Sequence, residues 1–318
     1  MLLVVASHAG VPGFGFAGQV GVTMFFVLSG FLITTLLFDE RDRTGRIDLA
    51  AFYWRRALRL LPALIMVIVF VGLALRDWLP SLWAVSYVGN WARIVGNDLG
   101  PLNHTWSLAI EEQFYIVWPL ALIGACALRL SRRTMLAGML GLVGVAFVTR
   151  VVLITAPGTS LERIMFGTDM QGGALLLGCA VAASGITRRS TLGRIAAMAG
   201  LAVACLAPGG IIADWTLWVT FAMFASAALI LNAGEDQRWL TSSPLVFTGR
   251  ISYGLYLWHF AIATVWADAF DLLAWPIRLL ALSVVTFAVA SASYYGVEQW
   301  FLQRKRNRSA PVASGVPA

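Results

Sequence analysis

Long apolar runs separated by short, Arg-rich connectors set the pattern of this chain. Val20–Phe38, Arg59–Leu75, Thr105–Leu128, Met135–Ile154, Phe166–Ala183, Trp215–Leu231, Ile251–Ala267 and Ile277–Tyr295 are each near the length a helix needs to cross a hydrocarbon core of about 30 Å. Ile195–Ala207 is shorter and pairs with Trp215–Leu231 as a hairpin around Pro208-Gly209-Gly210. Met1–Gly10 supplies only roughly 14 Å of helix, so it reads as the outer end of a first span whose beginning is missing. Val11–Gly18 is a Gly/Pro turn. The stretch Arg76–His104 carries Trp78, Trp83, Tyr87 and Trp91, and its apolar part, Leu82–Ala92, is too short to span. It reads as interfacial or re-entrant. The expected fold is all-α, a polytopic transmembrane bundle of about ten spans with the first one truncated. Residues 1–300 form the membrane domain and 301–318 a basic, disordered cytoplasmic tail.

Composition agrees with that pattern. Hydrophobic residues make up 59% and charged residues 12%, against about 25% charged in a soluble domain. The net charge of +7 comes almost wholly from Arg. Those residues fall in the connectors, so they report topology rather than nucleic-acid binding. Asp39–Arg59, Arg129–Arg133, Arg188–Arg194, Asp236–Arg250 and Arg304–Arg308 are placed inside, which makes the chain a multi-pass protein of the cell membrane with both termini cytoplasmic. Cys126, Cys179 and Cys205 lie inside apolar runs and read as packing residues, with no disulfide and no metal site. No phosphate loop or dinucleotide fingerprint is present.

The run Thr105–Leu128 is unusual because Glu111, Glu112 and Gln113 sit in its first turns. A charge at a helix centre costs about 2.5–3.5 kcal/mol on insertion scales, so such groups face a protein interior or a wet cavity. Ser107, Glu111 and Tyr115 share a helical face, with His104 just before it. The expectation is a polar site at membrane depth; the competing reading puts both carboxylates at headgroup level. A His104–Ser107–Glu111 triad is disfavoured, since one helix rarely aims three side chains head to tail. His8, near the outer interface, is a candidate general base, against a structural hydrogen-bonded histidine. Arg55, Arg56 and Arg59 suit a phosphorylated carrier, against ordinary lipid anchors. His259 should lie toward the cytoplasmic half of its span, buried or lining a cavity. Asp169, Gln171 and Glu298 are weaker candidates.

Four ordered motifs resemble the membrane acyltransferase family 3. They are Gly21–Thr34 (GVTMFFVLSGFLIT), Phe52–Pro62 (FYWRRALRLLP), Trp106-Ser107-Leu108 with Glu111-Glu112-Gln113-Phe114-Tyr115, and Ser252–His259 (SYGLYLWH). That family includes O-acetyltransferases of bacterial surface and secreted glycans and modifiers of antibiotics and lipids. The resemblance implies that His8 is the essential first-helix histidine, that Arg55, Arg56 and Arg59 engage an acyl donor, and that Glu111 is the acidic position of the fourth motif. It therefore implies an integral membrane O-acyltransferase. An acyl group, expected to be acetyl, would pass from acyl-CoA to a hydroxyl of a glycan or other extracytoplasmic acceptor. His8 and Glu111 would be catalytic, and His104, Ser107, Glu112, Tyr115, Asp169 and His259 are candidate cavity-lining residues. The partners expected are membrane lipid, acyl-CoA and a carbohydrate or small hydroxyl-bearing acceptor; no bound cofactor, metal or nucleic acid is. The chain departs from the family at several points. The upstream Arg of the first helix is not present, Thr23 stands where many members have Asp, and Asp169–Gly173 lacks a customary Arg and second Asp. Gln299 follows Glu298 where Pro is frequent, and no esterase-like domain follows the last span. A transporter or flippase, or an inactive truncated relative, are the alternatives.

Overall fold

A computed structural model describes residues 1–207, 212–233 and 241–308. The hairpin turn Pro208-Gly209-Gly210, residues 236–240 of the connector Asp236–Arg250, and residues 309–318 of the tail lie outside the described residues. Among the described residues every regular element is helical. The short α1 (Leu2–His8) ends just before Gly10, whose φ of +72° suits only glycine well. The long α2 (Ala17–Thr44) stops at Gly45 in the left-handed region, and α3 (Leu49–Leu75) starts on Asp48, whose carboxylate accepts from the Ala51 N–H at 2.9 Å. The connector expected over Asp39–Arg59 is therefore only residues 45–48. Both helices run on past their apolar stretches because Glu40, Arg41, Arg55 and Arg56 are good helix formers.

Two short helices follow, α4 (Leu79–Val85) and α5 (Gly89–Ile94), as the length of Leu82–Ala92 anticipated. A 3-10 turn, Gly100–Thr105, feeds α6 (Trp106–Ala127). Then come α7 (Arg132–Thr155), α8 (Leu161–Phe166), α9 (Thr168–Ser184), α10 (Thr191–Cys205) and α11 (Ile212–Leu231). The chain continues through α12 (Ser243–Val265), α13 (Ala267–Asp271) and α14 (Trp275–Ser293). A π-helical turn, Tyr294–Glu298, leads into α15 (Gln299–Arg308). The basic stretch expected to be a disordered tail thus begins as helix.

Six helical segments among the described residues are long and apolar enough to cross a membrane by length and composition. They hold α2, α3, α6, α7, α9 and α14. Their outer faces carry apolar stripes at helical spacing. Ile65, Val69 and Leu73 are exposed on α3, and Leu142, Val145, Val148 and Val152 on α7. In water each such stripe is unfavourable by about 25 cal/mol per Å² of apolar surface, whereas hydrocarbon imposes no such cost.

The tightest contact is between α2 and α9. A Cβ on Gly30 would sit 1.9 Å from the Leu175 carbonyl oxygen, and one on Gly178 would sit 2.0 Å from that of Val27. The two backbones touch through these glycines, as small residues permit between membrane helices. With α7, α10 and α11 they form one half of the molecule, while α3, α12, α14 and α15 form the other. Helix α1 lies in the seam: Val4 packs with Phe26, Ile110 and Leu175, and its neighbour Val5 packs with Leu64, Ile251 and Ile262. That placement delivers His8, the last residue of α1, to the junction of the halves.

Candidate active site

The seam opens into a cavity of about 750 Å³. Its wall includes His8 from α1, Gly15 and Gln19 from the turn and start of α2, Arg93 from α5, His104, Phe166, and Tyr256 and Phe260 from α12. All three histidines of the chain meet here. His8 Nδ1 lies 3.0 Å from His259 Nε2, with the rings stacked at a centroid distance of 5.2 Å. His104 packs edge-on against His259 at 5.5 Å. Helix α12 begins at Ser243, well before the expected start of its span, so His259 falls in the last third of the helix, beside His8.

The hydrogen bonds fix the tautomers of a neutral pair. His259 Nδ1 lies 2.6 Å from the Tyr256 carbonyl, and a carbonyl only accepts, so Nδ1 carries the proton. His259 Nε2 then accepts from His8 Nδ1–H, and His8 Nε2 keeps its lone pair. His8 is exposed on the cavity wall, and Phe260 stands edge-on to it at 4.7 Å. His104 is only 4% exposed, and neither of its ring nitrogens has a partner at ordinary hydrogen-bond geometry. Among the described residues no group of three His, Cys, Asp or Glu side chains is arranged to hold a metal ion.

A ladder of buried polar groups leads from the cavity floor into the bundle. The Tyr256 hydroxyl donates to the His104 carbonyl at 2.7 Å, and Ser107 Oγ donates to Tyr256 Oη at 2.6 Å. One turn further along α6, Glu111 accepts from both Ser29 and Tyr115. Arg56 lies over the Tyr115 ring at 3.4 Å and pairs with Glu112 at 2.5 Å. Glu111 is buried in the bundle, Glu112 is partly buried, and both are bonded. Glu111 bonds Ser29 and Tyr115 and makes no bond to His8; the ring that does is His259.

The remaining candidates separate. Arg55 pairs with Glu40 at 3.3 Å near the surface. Arg59 instead lines a second cavity of about 170 Å³ with Arg250, Tyr253 and Glu298. The three arginines thus face three different surroundings. Asp169 is exposed and held bidentately by Arg163 at 2.6 and 2.8 Å, away from the cavity lining it was expected to join. Ser107, Glu112, Tyr115 and His259 stand behind the wall rather than on it. Gln171 donates to the Met165 carbonyl at 2.8 Å, and Glu298 accepts from Ser293 at 2.8 Å.

The family model for the acyltransferase domain matches residues 1–295. The chain belongs to acyltransferase family 3. Among curated relatives it is 33% identical over 281 residues to the O-acetyltransferase OatA of Staphylococcus aureus strain NCTC 8325, covering 77% of this chain and 46% of that protein. It is 34% identical over 280 residues to a putative O-acetyltransferase of S. aureus strain COL, with the same coverage of each. The chain spans about half the length of these family relatives. No solved structure matches it.

Residues that family motifs and local spacing did not single out complete the wall. Arg93 lines the cavity with its guanidinium over Phe166 at 4.4 Å. Its neighbourhood is fixed by a network on the other side of α6. Gln113 donates to the Tyr87 carbonyl at 2.7 Å and to Asn90 at 3.0 Å, and accepts from Thr168 at 2.6 Å. Asn90 in turn donates to the Phe166 carbonyl at 3.0 Å. Gln113 was visible as a polar residue in an apolar run, and Asn90 and Trp91 as part of an interfacial stretch. Nothing in their spacing joined them.

Proposed function

We propose that this chain is an integral membrane O-acyltransferase that moves an acetyl group from acetyl-CoA to a hydroxyl on an extracytoplasmic, carbohydrate-like acceptor. The observation that carries this reading is His8 Nε2, free on the wall of a 750 Å³ cavity and backed by His259. Membership of acyltransferase family 3 and relatives named O-acetyltransferases support it.

In this reading the acceptor hydroxyl gives its proton to His8 Nε2 as its oxygen attacks the thioester carbonyl. The carbon–sulfur bond breaks, and the coenzyme A thiolate leaves and is protonated in turn by His8. The His259–Tyr256 carbonyl chain holds the imidazole in the tautomer the step requires, a contribution typically of 10²–10⁴-fold for a placed general base. The donor's phosphates approach from the cytoplasmic end, where Arg59 and Arg250 share a cavity and Arg55 lies near the surface. Arg56, committed to Glu112 and Tyr115, supports the ladder from behind. Tyr115, Glu111 and Ser107 are buried between the two cavities, so in this reading the seam along them parts to admit the thioester arm. From residue 104 to residue 115 an α-helical rise covers roughly 16 Å. The topology that fits is about ten crossings, with α1, the shorter α10 and α11, and α12 added to the six long segments and both termini cytoplasmic.

The test is acetyl transfer in proteoliposomes supplied with labelled acetyl-CoA outside and a mixture of soluble glycans inside. The wild-type chain is expected to label acceptor, and His8→Ala to lose at least about 10²-fold of that rate. Undiminished transfer by His8→Ala would remove the assignment.

A further inference from the structure

Among the described residues, Arg93 is the one charged side chain on the cavity wall that the proposed reaction leaves unused. It is half-buried, and its guanidinium face rests on Phe166, so its edge donors point away from that ring. No carboxylate among the described residues lies within ion-pair distance of it. Asp98 and Glu162 are near enough to act on it through space, yet Asp98 is occupied by the Asn103 amide at 2.6 Å and the Gly100 N–H at 3.1 Å. Those bonds hold the Asp98 carboxyl below the ordinary carboxylate range. Glu162 reaches Arg93 only through space, with no ion pair between them.

The rest of the wall has the same bias. Among the described residues no Asp or Glu lines the cavity, while Arg93, His8 and His104 do. Neither ring nitrogen of His104 makes a hydrogen bond of ordinary geometry, although the backbone of Leu257 and Pro101 is close enough to act on it. A half-buried guanidinium and an unpaired imidazole on one cavity are complementary to a ligand with a negative charge and several hydroxyls.

Resting on the acyl-transfer reading, we propose that the acceptor is anionic. It is a sugar or polyol carrying a carboxylate or phosphate that docks on Arg93, with a neighbouring hydroxyl on His104 and the reacting hydroxyl at His8. A carboxylate and a phosphate offer Arg93 the same chemistry, and the arms of the experiment separate them.

Binding of methyl glucuronide, glucose 6-phosphate and the neutral methyl glucoside to the full chain in nanodiscs would be measured by calorimetry. At least one of the two anions should bind ten-fold or more tighter than the neutral sugar, about 1.4 kcal/mol. The better of the two identifies the charged group. Arg93→Gln should abolish the preference. In the wild type, the preference should shrink as ionic strength rises, which needs no variant to fold. Equal binding of all three, no binding of any, a preference that survives Arg93→Gln in a folded variant, or one indifferent to salt overturns the proposal. Acetyl transfer is read separately. Anion-selective binding without transfer leaves the Arg93 site standing and removes the acyl-transfer reading. Transfer at equal rates to charged and neutral sugars does the reverse.

Discussion

In the proposed reaction His259 acts through its neighbour. Its Nδ1–H is spent on the Tyr256 carbonyl, which leaves Nε2 to accept from His8, as a carboxylate does behind a catalytic histidine elsewhere. Replacing it with Leu removes that hold without touching the cavity wall. The expected result is a fall in kcat of about 10²-fold with acceptor KM nearly unchanged, measured by steady-state acetylation. A rise in KM with kcat intact would mean that His259 only shapes the acceptor site. The arginines invite a second comparison. Arg56 is largely buried against Glu112, so Arg56→Ala strands a carboxylate and should cost about 3–5 kcal/mol. Arg55 pairs with Glu40 near the surface, so Arg55→Ala should cost at most about 1 kcal/mol. Thermal melting in detergent distinguishes them. At this scale the residue types were legible, because His8, Glu111 and the arginines are conspicuous in apolar surroundings. Their partners were not, since His8 and His259 are 251 positions apart and no spacing rule links them. The available clue was the inventory: the chain has three histidines, and all three converge on one cavity.

Helices in this chain end where caps and glycines end them, not where lipid does. Apolar runs located the helices but misplaced the starts of α3 and α12 and the end of α2. Asp48 and Gly45 mark the turn between α2 and α3, whereas α12 starts within a polar stretch, beside Ser242, that hydropathy leaves out. Helix-to-helix register was less visible still. The Ser29-Gly30 pair signalled close packing, but its counterpart Gly178 could be named only once α9 was seen against α2. That contact makes a sharp prediction. A methyl at Gly30 or Gly178 would sit within 2.0 Å of a backbone carbonyl, so the helices themselves must separate. Gly30→Ala and Gly178→Ala are each expected to cost at least about 2 kcal/mol, a drop of roughly 5 °C in melting temperature. Gly124→Ala is the internal control. Nothing lies within 4 Å of its Cβ position, and loss of a mid-helix glycine should leave stability unchanged or raise it by about 0.5–1 kcal/mol. If all three behaved alike, the α2–α9 contact would not be the clamp described.

In the proposed reaction the molecule as a whole brings a donor and an acceptor together from opposite directions. Helix α2 measures the separation: it runs 28 residues from the cavity mouth at Ala17 to the Arg-rich turn at Gly45, about 42 Å. That exceeds a hydrocarbon core of about 30 Å, so the mouth and the turn fall in different aqueous phases if α2 crosses the bilayer. Two cavities lie toward these ends without a shared lining residue, and the buried ladder from Tyr256 to Arg56 fills the distance between them. A reaction that used only one phase would need neither the separation nor the ladder. Orientation is therefore the property that decides whether this architecture serves transfer across a membrane. Gly15 and Arg46 are both exposed and flank α2, and nothing lies within 4 Å of a Cβ at Gly15. Cys126 is half-buried and would be replaced by Ala, while Cys179 and Cys205 are buried. In intact cells an impermeant maleimide should label Gly15→Cys at once and Arg46→Cys only after permeabilisation. A soluble anionic sugar of the kind proposed for the Arg93 site should slow the first reaction and leave the second unchanged. Labelling of both positions from one side would show that α2 does not cross, and the two cavities would then have no membrane to connect.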